Sequence, residues 1–428
     1  MKKILFLTLL PFLSFADGID QKIDEAFAPI SNFFSNLVFF TVYDIPFVLM
    51  LLVFSALFFT IYFAFPNIRY FKLAINTVRG KYDDIEIKTK NNDDIKETIK
   101  DESQDGEVSH FQALATAVSG TVGNGNIAGV ALAIALGGPG ATFWMIICGL
   151  LGMSTKFVEC TLGVQYRDVD ENGTVYGGPM YYISKGLKER GFEFFGKIAA
   201  VLFAIFCIGG SFGGGNAAQS NQATIVLKDL MGLESTAAGA IIGIIIAVIV
   251  GVIIIGGIKR IANVTEKVVP FMALMYLIAC LYIILINFAL VDDAISLIIS
   301  EAFNPTAVGV GSVIGVLLVG FKRAAFSNEA GAGSASIAHS AVKTKYSASE
   351  GLVALLEPFI DTVVICTMTA LVIIIFNFGG FFEYGGDGGM VYIDGVGYEG
   401  AGITSKAFAK YIPFSNVFLT IAVVLFAV

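Results

Sequence analysis

The chain has 428 residues, of which 56% are hydrophobic and only 14% are charged, and its mean hydropathy is +0.78. This composition is typical of a protein embedded in a lipid bilayer, and it excludes an ordinary soluble domain. The formal net charge is −8, and much of the acidity lies in one polar stretch between Tyr82 and Glu107. No basic cluster indicates nucleic-acid binding.

The N-terminus has the parts of a signal peptide. Lys2 and Lys3 precede a short apolar core, and small residues end it at Ala16. We therefore predict a signal peptide over residues 1–16, followed by a periplasmic segment over 17–45. A short membrane anchor is the alternative interpretation of the same core.

Apolar segments recur along the rest of the chain and predict an all-α polytopic membrane protein. They cover about residues 46–66, 110–136, 138–164, 196–226, 238–258, 263–288, 306–342 and 348–376, with a last one starting at 413. If the first apolar segment begins outside, successive segments cross the membrane in alternating directions. The stretches that carry most Lys and Arg residues, Lys322 and Arg323 among them, then lie on the cytoplasmic side. That asymmetry indicates a bacterial inner-membrane protein with a periplasmic N-terminus.

This alternation also divides the chain into regions. Residues 46–66 are predicted to be an extra helix and 67–109 a cytoplasmic polar insert, while 377–411 are expected to form an outside loop that is ordered only in part. The last apolar segment ends at Val428, short of the roughly 20 residues that a span needs, so we expect a C-terminally truncated chain. A genuine short terminus is the alternative, but it would leave the end of the helix unsatisfied in lipid.

The segment 110–136 is long enough to span a membrane, but its centre, residues 120–126, is unfavourable for a helix. Glycine and asparagine leave backbone groups that hydrocarbon cannot satisfy, so such a break is tolerated where it lines a cavity or is buried in protein. Carbonyl ends of the first half-helix favour a cation, and amide ends of the second favour a carboxylate. Close packing through Gly125 and Gly129 is the alternative, but it does not need the polarity of Asn124 and Asn126.

Two further spans carry polar interruptions. The segment 306–342 is rich in glycine and lies five spans after the first break with the opposite orientation, as an inverted five-helix repeat requires. On hydropathy alone, the residues from Lys322 onward are instead compatible with a cytoplasmic loop. In the span 196–226, Asn216 and Gln219 share a helix face that should point inward, toward substrate or toward other helices.

Two acids inside the eighth span need partners. Glu357 and Asp361 lie four residues apart on one helix face. Pairing with Lys322 or Arg323 is the favoured interpretation, and a proton relay is the alternative.

Other ionisable residues give no sign of an enzyme. Lys156 and Glu159 are expected to form an ordinary pair near a span end, and His110 and His339 are far apart and not in a metal-ligand pattern. No nucleophile–base pair, nucleotide loop or metal motif is present.

Six motifs match one transporter family in order and spacing. They are Phe111–Leu114, Gly123–Gly129, Tyr176–Ile183, Gly256–Ala262, Phe326–Gly331 and Phe359–Thr367. With them the chain resembles the alanine or glycine:cation symporter family over nearly everything from residue 110 to the C-terminus. The resemblance implies a leucine-transporter-like fold, in which an inverted five-plus-five repeat follows one extra helix. The first repeat would cover 110–288, and an incomplete second repeat would cover 289–428.

The resemblance also implies sodium-coupled import of alanine, glycine or a similar small amino acid, without a cofactor. The candidate substrate-binding residues are Thr121, Gly123, Asn124, Gly125, Asn126, Gln219, Phe326, Ser327 and Asn328. The candidate sodium ligands are the backbone carbonyls of Gly120 and Gly123, completed by the helix that begins near Pro413. Proton coupling, a channel and a non-transporting membrane fragment are the alternatives.

Overall fold

The computed structural model describes residues 19–43, 45–82, 106–233, 235–305 and 312–427. The predicted signal peptide and most of the predicted polar insert lie outside these ranges. Within them the chain is almost entirely helical, with three short β-hairpins. This confirms an all-α polytopic membrane protein.

The α-helices of the described residues are numbered in chain order. They are α1 (Ile19–Val38), α2 (Phe47–Tyr62), α3 (Pro66–Arg69), α4 (Phe71–Val78), α5 (His110–Thr121), α6 (Val130–Gly137), α7 (Gly140–Gln165), α8 (Pro179–Glu189), α9 (Glu193–Gly210), α10 (Ala218–Met231), α11 (Thr236–Ile254), α12 (Gly257–Ile286), α13 (Val291–Phe303), α14 (Val313–Asn328), α15 (Ser334–Ser340), α16 (Ser347–Ala354), α17 (Leu356–Pro358), α18 (Thr367–Asn377), α19 (Ala401–Tyr411) and α20 (Ser415–Ala427).

The strands form three separate antiparallel hairpins. They are β1 (Thr41–Val42) with β2 (Ile45–Pro46), β3 (Asp168–Val169) with β4 (Val175–Tyr176), and β5 (Val391–Ile393) with β6 (Val396–Tyr398). Three π-helical segments also interrupt the helices, at Gly125–Gly129, Ser211–Ala217 and Phe359–Cys366. A π-helical segment inside an α-helix frequently marks a functional site.

Four helical stretches among the described residues are long and apolar enough to cross a membrane. They are Gly140–Gln165, Glu193–Lys228, Gly257–Ile286 and Ser347–Asn377. The pair α5 and α6, bent by 51° at its break, makes a fifth if it is one span. Shorter apolar helices include α2 and α20, which overlap the first and last predicted segments.

Helix α7 is the centre of the bundle, with α2, α13, α14, α15 and α16 packed against it. On α2 the Thr60 hydroxyl donates a 2.9 Å hydrogen bond to the Ser154 hydroxyl of α7, which fixes the two helices in register. The core between α12 and α18 is equally closed, with Tyr276 fully buried and its hydroxyl 2.8 Å from that of Thr369. This packing holds both broken spans against one scaffold.

The first broken span follows the predicted break. Helix α5 starts with a capping box between Ser109 and Gln112 and ends at Thr121. The chain then turns through Val122, whose backbone is extended, before helical winding resumes at Gly125–Gly129. Glycine at the turn removes the side chains that would block the close approach of other helices.

The second interrupted segment comprises α14 and α15. The residues from Lys322 to Asn328, for which a cytoplasmic loop was the alternative interpretation, are helical, and helix resumes at Ser334. Helix α14 ends where Glu329 takes a left-handed backbone conformation with φ of 51°. In the following turn, Gly331 and Gly333 also have positive φ angles, of 94° and 84°. The positive φ of Gly331 is a conformation that residues with side chains rarely adopt, and a Cβ atom there would also lie 2.5 Å from Leu52 Cδ2, so the position favours glycine. Helix α14 packs on α6 and α15 packs on α5, which brings the two breaks together.

Candidate functional site

Asn126 lies at the centre of the contact between the two breaks. Its side chain is fully buried, and its Oδ1 accepts a 2.8 Å hydrogen bond from the backbone N–H of Gly123. Its Nδ2 donates to Asp361 Oδ1 at 2.6 Å and lies 3.4 Å from the Ser327 hydroxyl and 3.2 Å from Cys366 Sγ. One amide thus joins the first break, the end of α14 and the π-helical segment before α18.

The carboxylate of Asp361 is bound on its other side too. The Thr362 hydroxyl donates to Asp361 Oδ2 at 2.7 Å, and Asn328 Nδ2 donates to the Thr362 hydroxyl at 3.0 Å. Both Asp361 and Thr362 are fully buried. We call Asn126, Ser327, Asn328, Asp361 and Thr362 the asparagine–aspartate cluster.

The expected pairing of the two acids with Lys322 or Arg323 is wrong. Glu357 Oε1 lies 2.9 Å from Lys156 Nζ, and Asp361 has no basic nitrogen within salt-bridge distance among the described residues. The reason is the position of Arg323 along the bundle. Helix α14 packs against α6, so the Arg323 guanidinium lies beside the first break, where it donates to the Gly125 carbonyl and not to either acid. Lys156 is fully buried, so it does not belong to an ordinary pair at a span end.

Asn124, two residues before Asn126, contacts a different helix. Its backbone N–H donates to Gln219 Oε1 at 3.1 Å, and its Nδ2 lies 3.3 Å from the Gln219 carbonyl oxygen. A Cβ atom at Gly123 would lie 3.0 Å from Gln219 Nε2, so the glycine lets α10 come this close. Asn124 Oδ1 is buried and has no hydrogen-bond partner among the described residues.

Arg323 covers the second half of the first break. Its Nη2 donates a 2.5 Å hydrogen bond to the Gly125 carbonyl, and its guanidinium lies 5.0 Å from the centre of the Phe326 ring. A Cβ atom at Gly129 would lie 1.7 Å from Arg323 Cζ, so glycine at this position makes the space for the guanidinium. Arg323 Nε is buried and lacks a hydrogen-bond partner within the part of the chain that the structure describes.

A cavity of about 620 Å³ lies against this face of the break. Asn124, Gln219 and Arg323 line it, together with Phe326 and the segment that leads from β6 into α19. Its volume lies within the range of small-molecule sites in proteins. We call it the break cavity.

The predicted site residues therefore separate into two groups. Gly123, Asn124, Gly125, Gln219 and Phe326 lie at or beside the break cavity, whereas Asn126, Ser327 and Asn328 belong to the asparagine–aspartate cluster.

The two remaining predicted residues lie at the end of α5. The Thr121 hydroxyl points back onto its own helix, 3.4 Å from the Val118 carbonyl. Gly120 is exposed, with open space where a Cβ atom would be. It is in the last turn of α5, where helix carbonyls lack intrahelical partners.

Both sides of the break offer groups that suit particular ligands. The cluster supplies carboxylate, amide and hydroxyl oxygens, which are the ligands that hard cations prefer. Two residues that line the break cavity each carry a buried polar atom without a hydrogen-bond partner among the described residues, the acceptor Asn124 Oδ1 and the donor Arg323 Nε. An acceptor for an ammonium group and a donor for a carboxylate together fit a zwitterion.

Three contributors to the site do not follow from the sequence patterns. The charge rule places Arg323 on the cytoplasmic side, and nothing in the pattern distinguishes Thr362 beside Asp361. Thr404 lies in the predicted outside loop, yet its hydroxyl donates a 2.9 Å hydrogen bond to the Ile127 carbonyl in the π-helical turn. The apolar spacing in Ala401–Tyr411 was the available signal, since Ile403, Ala407 and Phe408 are all fully buried.

Several known proteins are similar to this chain in sequence. The chain is 38% identical to the sodium/alanine symporter AgcS of Methanococcus maripaludis over 384 residues, which are 89% of this chain and 77% of that protein. It is 44% identical to an uncharacterized transporter of Haemophilus influenzae, over 64% of this chain and 59% of the relative. It is 34% identical to the amino-acid carrier protein AlsT of Bacillus subtilis, over 81% of this chain and 68% of that protein.

The alignments thus span between just under three fifths and about three quarters of these relatives. The sequence profile of the sodium:alanine symporter family matches residues 29–428, which is nearly the whole chain. The relatives are transporters and not enzymes, as the motifs predicted. The chain therefore belongs to the sodium:alanine symporter family.

Proposed function

We propose that the protein imports alanine, glycine or a similar small neutral amino acid together with sodium across a bacterial inner membrane. Family membership supports amino-acid:cation symport. The observation that carries the proposal is a pair of buried polar atoms on residues that line the break cavity, Asn124 Oδ1 and Arg323 Nε, which lack partners among the described residues. They match the two charges of an amino acid and leave its side chain free.

In this proposal the substrate lies in the break cavity. Its ammonium group donates to Asn124 Oδ1, and its carboxylate accepts from Arg323 Nε and from amides at the start of the second half-helix, where the helix dipole favours an anion. Gln219 holds Asn124 in place through two hydrogen bonds. Phe326 forms the apolar wall for the side chain.

The sodium ion is assigned to the other side of the break. Asp361 and the oxygens of Asn126, Ser327 and Thr362 would surround it, and the carbonyls of the α5 end, from Gly120 to Gly123, would face it. A positive ion there would also neutralise the buried Asp361 carboxylate, whose hydrogen bonds come from the uncharged Asn126 and Thr362. Sodium binding and the geometry of the substrate side are then linked through the backbone of the break.

The two breaks support an inverted five-plus-five repeat, with α5 to α12 as the first repeat and the chain from residue 289 as part of the second. The α5–α6 and α14–α15 pairs occupy matching places in that scheme, and their halves pack against each other in opposite order. Rocking of one helix group against the other would expose the site to each side in turn. The N-terminus would lie in the periplasm, after a signal peptide.

The driving force would come from sodium moving down its gradient. Each positive charge carried inward through 100 mV releases about 2.3 kcal/mol. One ion per substrate is therefore enough for roughly 50-fold accumulation from the potential alone, since about 1.4 kcal/mol corresponds to a factor of ten.

A proton in place of sodium is the second candidate. It is favoured by the full burial of Asp361, because a carboxylate at that depth binds a proton when no cation compensates its charge. A channel would require no amino acid for its current.

One experiment separates these functions. Membrane vesicles that contain the full chain are loaded with potassium buffer, diluted into sodium buffer, and assayed for uptake of radiolabelled alanine with and without a proton ionophore. We expect saturable uptake that requires sodium and survives the ionophore. Uptake that needs no sodium but stops with the ionophore would establish proton coupling, and sodium current without alanine would establish a channel.

A further inference from the structure

A line of buried ionisable side chains lies next to the asparagine–aspartate cluster and has no part in the function proposed above. Successive members are at most 3.8 Å apart. In order they are His110 on α5, Glu350 on α16, His339 on α15, Glu357 on α17, and Lys156 and Glu159 on α7. All six are at most 6% exposed, so their charges must be balanced within the line. We call them the histidine–glutamate line.

Both imidazoles contact the same carboxylate. His110 Nδ1 lies 2.5 Å from Glu350 Oε2, and His339 Nδ1 is hydrogen-bonded to Glu350 Oε1. An ionised carboxylate only accepts, so each Nδ1 carries a hydrogen. Beyond it, His339 Nε2 faces Glu357 Oε2 at 3.8 Å, and neither of these two atoms has a hydrogen-bond partner among the described residues.

The charges of the line balance when all three carboxylates are ionised and both histidines carry a second proton. In that state the three carboxylates, set against the single ammonium of Lys156, would leave two negative charges in the protein interior without the imidazolium ions. An uncompensated buried charge costs several kcal/mol. Two protonated imidazoles would remove this excess, one beside each oxygen of Glu350.

Further ionisable groups of the described residues face the line from neighbouring turns and helices. They include Cys160 on α7, Tyr182 on α8, Glu329 at the end of α14, and Asp361 one turn beyond Glu357, none of which is a cation. The Arg167 guanidinium lies beside the end of α15, where it donates to backbone carbonyl oxygens. Within the line itself, the two histidines are the groups that can supply the missing positive charge.

We propose that the histidine–glutamate line is a proton-binding site that holds two protons, one on each histidine, and that these protons fasten α5 to α15 and α16. Imidazole is the side chain whose ordinary titration lies closest to neutral pH, so its protons can exchange under cellular conditions. His110 is the first residue of α5 and follows the exposed Ser109, so protons reach the line at this end.

Loss of these protons has a mechanical consequence. Glu350 and Glu357 would then keep their charges without imidazolium ions between them, and His110 would no longer bind Glu350 as a cation. The attachment of α5, which is one half of the first broken span, would weaken. Alkaline pH should therefore loosen α5, whereas neutral and acidic pH should hold it in place.

The proton count can be measured directly because the whole chain contains only two histidines. The full chain is labelled with ¹⁵N-histidine, purified without a histidine tag and placed in lipid nanodiscs for NMR. We expect two imidazolium signals at about pH 7, near the titration of free histidine. In Glu350→Gln, which removes the shared acceptor, at least the His110 signal should become that of a neutral ring. A neutral imidazole at either position in the unaltered protein would overturn the proposal.

Hydrogen exchange tests the mechanical part. We expect protection of the α5 amides, corrected for intrinsic exchange, to fall at least about tenfold between about pH 6 and pH 9, with α18 as the internal reference. Glu350→Gln should show the weak α5 protection at both pH values. The matched control is Asp168→Asn with Lys185→Gln, which neutralises an exposed ion pair and should keep the wild-type response. The proposal would be contradicted if the protection of the α5 amides in the wild type did not depend on pH. It would also be contradicted if Glu350→Gln showed the same pH dependence as the wild type. Neither readout depends on transport, so both stand apart from the proposed function.

Discussion

Asn124 and Asn126 belong to the same break, yet they contact opposite parts of the molecule. Asn124 binds Gln219 and lines an open cavity, whereas Asn126 is fully buried and binds Asp361. Residues two apart on a helical turn point to nearly opposite sides. One short polar segment can therefore serve a cation on one side and an amino acid on the other, with a single glycine between them.

The difference between the two asparagines lies in how far their hydrogen bonds are satisfied. Every polar atom of the Asn126 side chain has a partner, and one of these is a carboxylate. Asn124 keeps one acceptor unpartnered among the described residues, beside the cavity. The proposal assigns the cation to the first arrangement and the amino acid to the second.

The largest expected effect comes from Asn126→Ala. The variant removes the amide that binds Asp361 and the Gly123 backbone, so a buried carboxylate loses a charge-assisted hydrogen bond. We expect sodium-driven alanine uptake to fall about 100-fold or more, which corresponds to roughly 3 kcal/mol. Asn124→Ala serves as the comparison and should retain measurable uptake with weaker apparent affinity for alanine. Normal uptake by Asn126→Ala, at equal protein content of the membrane, would remove the asparagine–aspartate cluster from the mechanism.

Asp361→Asn addresses the charge of the same cluster. The substitution keeps the shape but removes the negative charge that would balance sodium, so the half-saturating sodium concentration should rise by about 10- to 100-fold. The half-saturating alanine concentration, measured at saturating sodium, should change by less than about threefold. If instead the alanine value moves and the sodium value does not, the two sides of the break have been assigned the wrong way round.

Gly129→Ala tests the opposite side by displacing Arg323. The added methyl group would lie 1.7 Å from the guanidinium carbon, so the arginine must leave its position over the break. We expect about 10-fold weaker alanine uptake, and Arg323→Ala should give a similar loss. The double variant should be no worse than either single one, because both changes remove the same contact. Additive losses would mean that Gly129 acts through something other than Arg323.

The break itself is predictable from sequence, and most of its partners are not. Glycine and asparagine in the middle of a hydrophobic segment disfavour a helix whatever surrounds them, so the break at 120–126 follows from local composition. The partner of Asp361 depends on which residues lie at the same depth. The charge rule places Arg323 at a membrane surface, but α14 carries it to Gly125. That rule describes loops, and it has no information about a cation buried beside a broken helix.

The histidine–glutamate line shows the same limit in a stronger form. His110 and Glu350 are 240 positions apart, and neither occurs in a short motif. What brings them together is the packing of α16 against α7 and of α5 against α16 and α15. Apolar segments are predictable from hydropathy because they depend on local composition. The meeting of distant polar groups depends on helix packing, and a single sequence does not encode that in any local pattern.

Gln219→Ala sharpens the role of the cavity wall. The variant removes Gln219 Oε1, which accepts from the Asn124 backbone N–H, but keeps the Gln219 carbonyl oxygen that accepts from Asn124 Nδ2. The lost hydrogen bond contributes about 1 kcal/mol, so the apparent affinity for alanine should weaken by about three- to tenfold. The half-saturating sodium concentration should stay the same. Gln222→Ala, one turn further along the same wall, is the matched control and should have a smaller effect. Equal effects of the two variants would show that the wall acts by its volume and not by holding Asn124.

The smallest expected effect tests how the two sides are held together from outside the break. Thr404 on α19 donates to the Ile127 carbonyl, which lies in the π-helical turn shared by both sides. Thr404→Val keeps the shape and removes this buried hydrogen bond, at a cost of about 1 kcal/mol. We expect a lower thermal unfolding temperature and proportionally small losses in both the sodium and the alanine affinities. Thr420→Val is the control, because that hydroxyl bonds within its own helix, to the Asn416 carbonyl. If Thr404→Val weakened the affinity for only one of the two ligands, α19 would support only that side of the break. The backbone between Asn124 and Asn126 would then couple the sodium side to the alanine side less strongly than their shared π-helical turn implies.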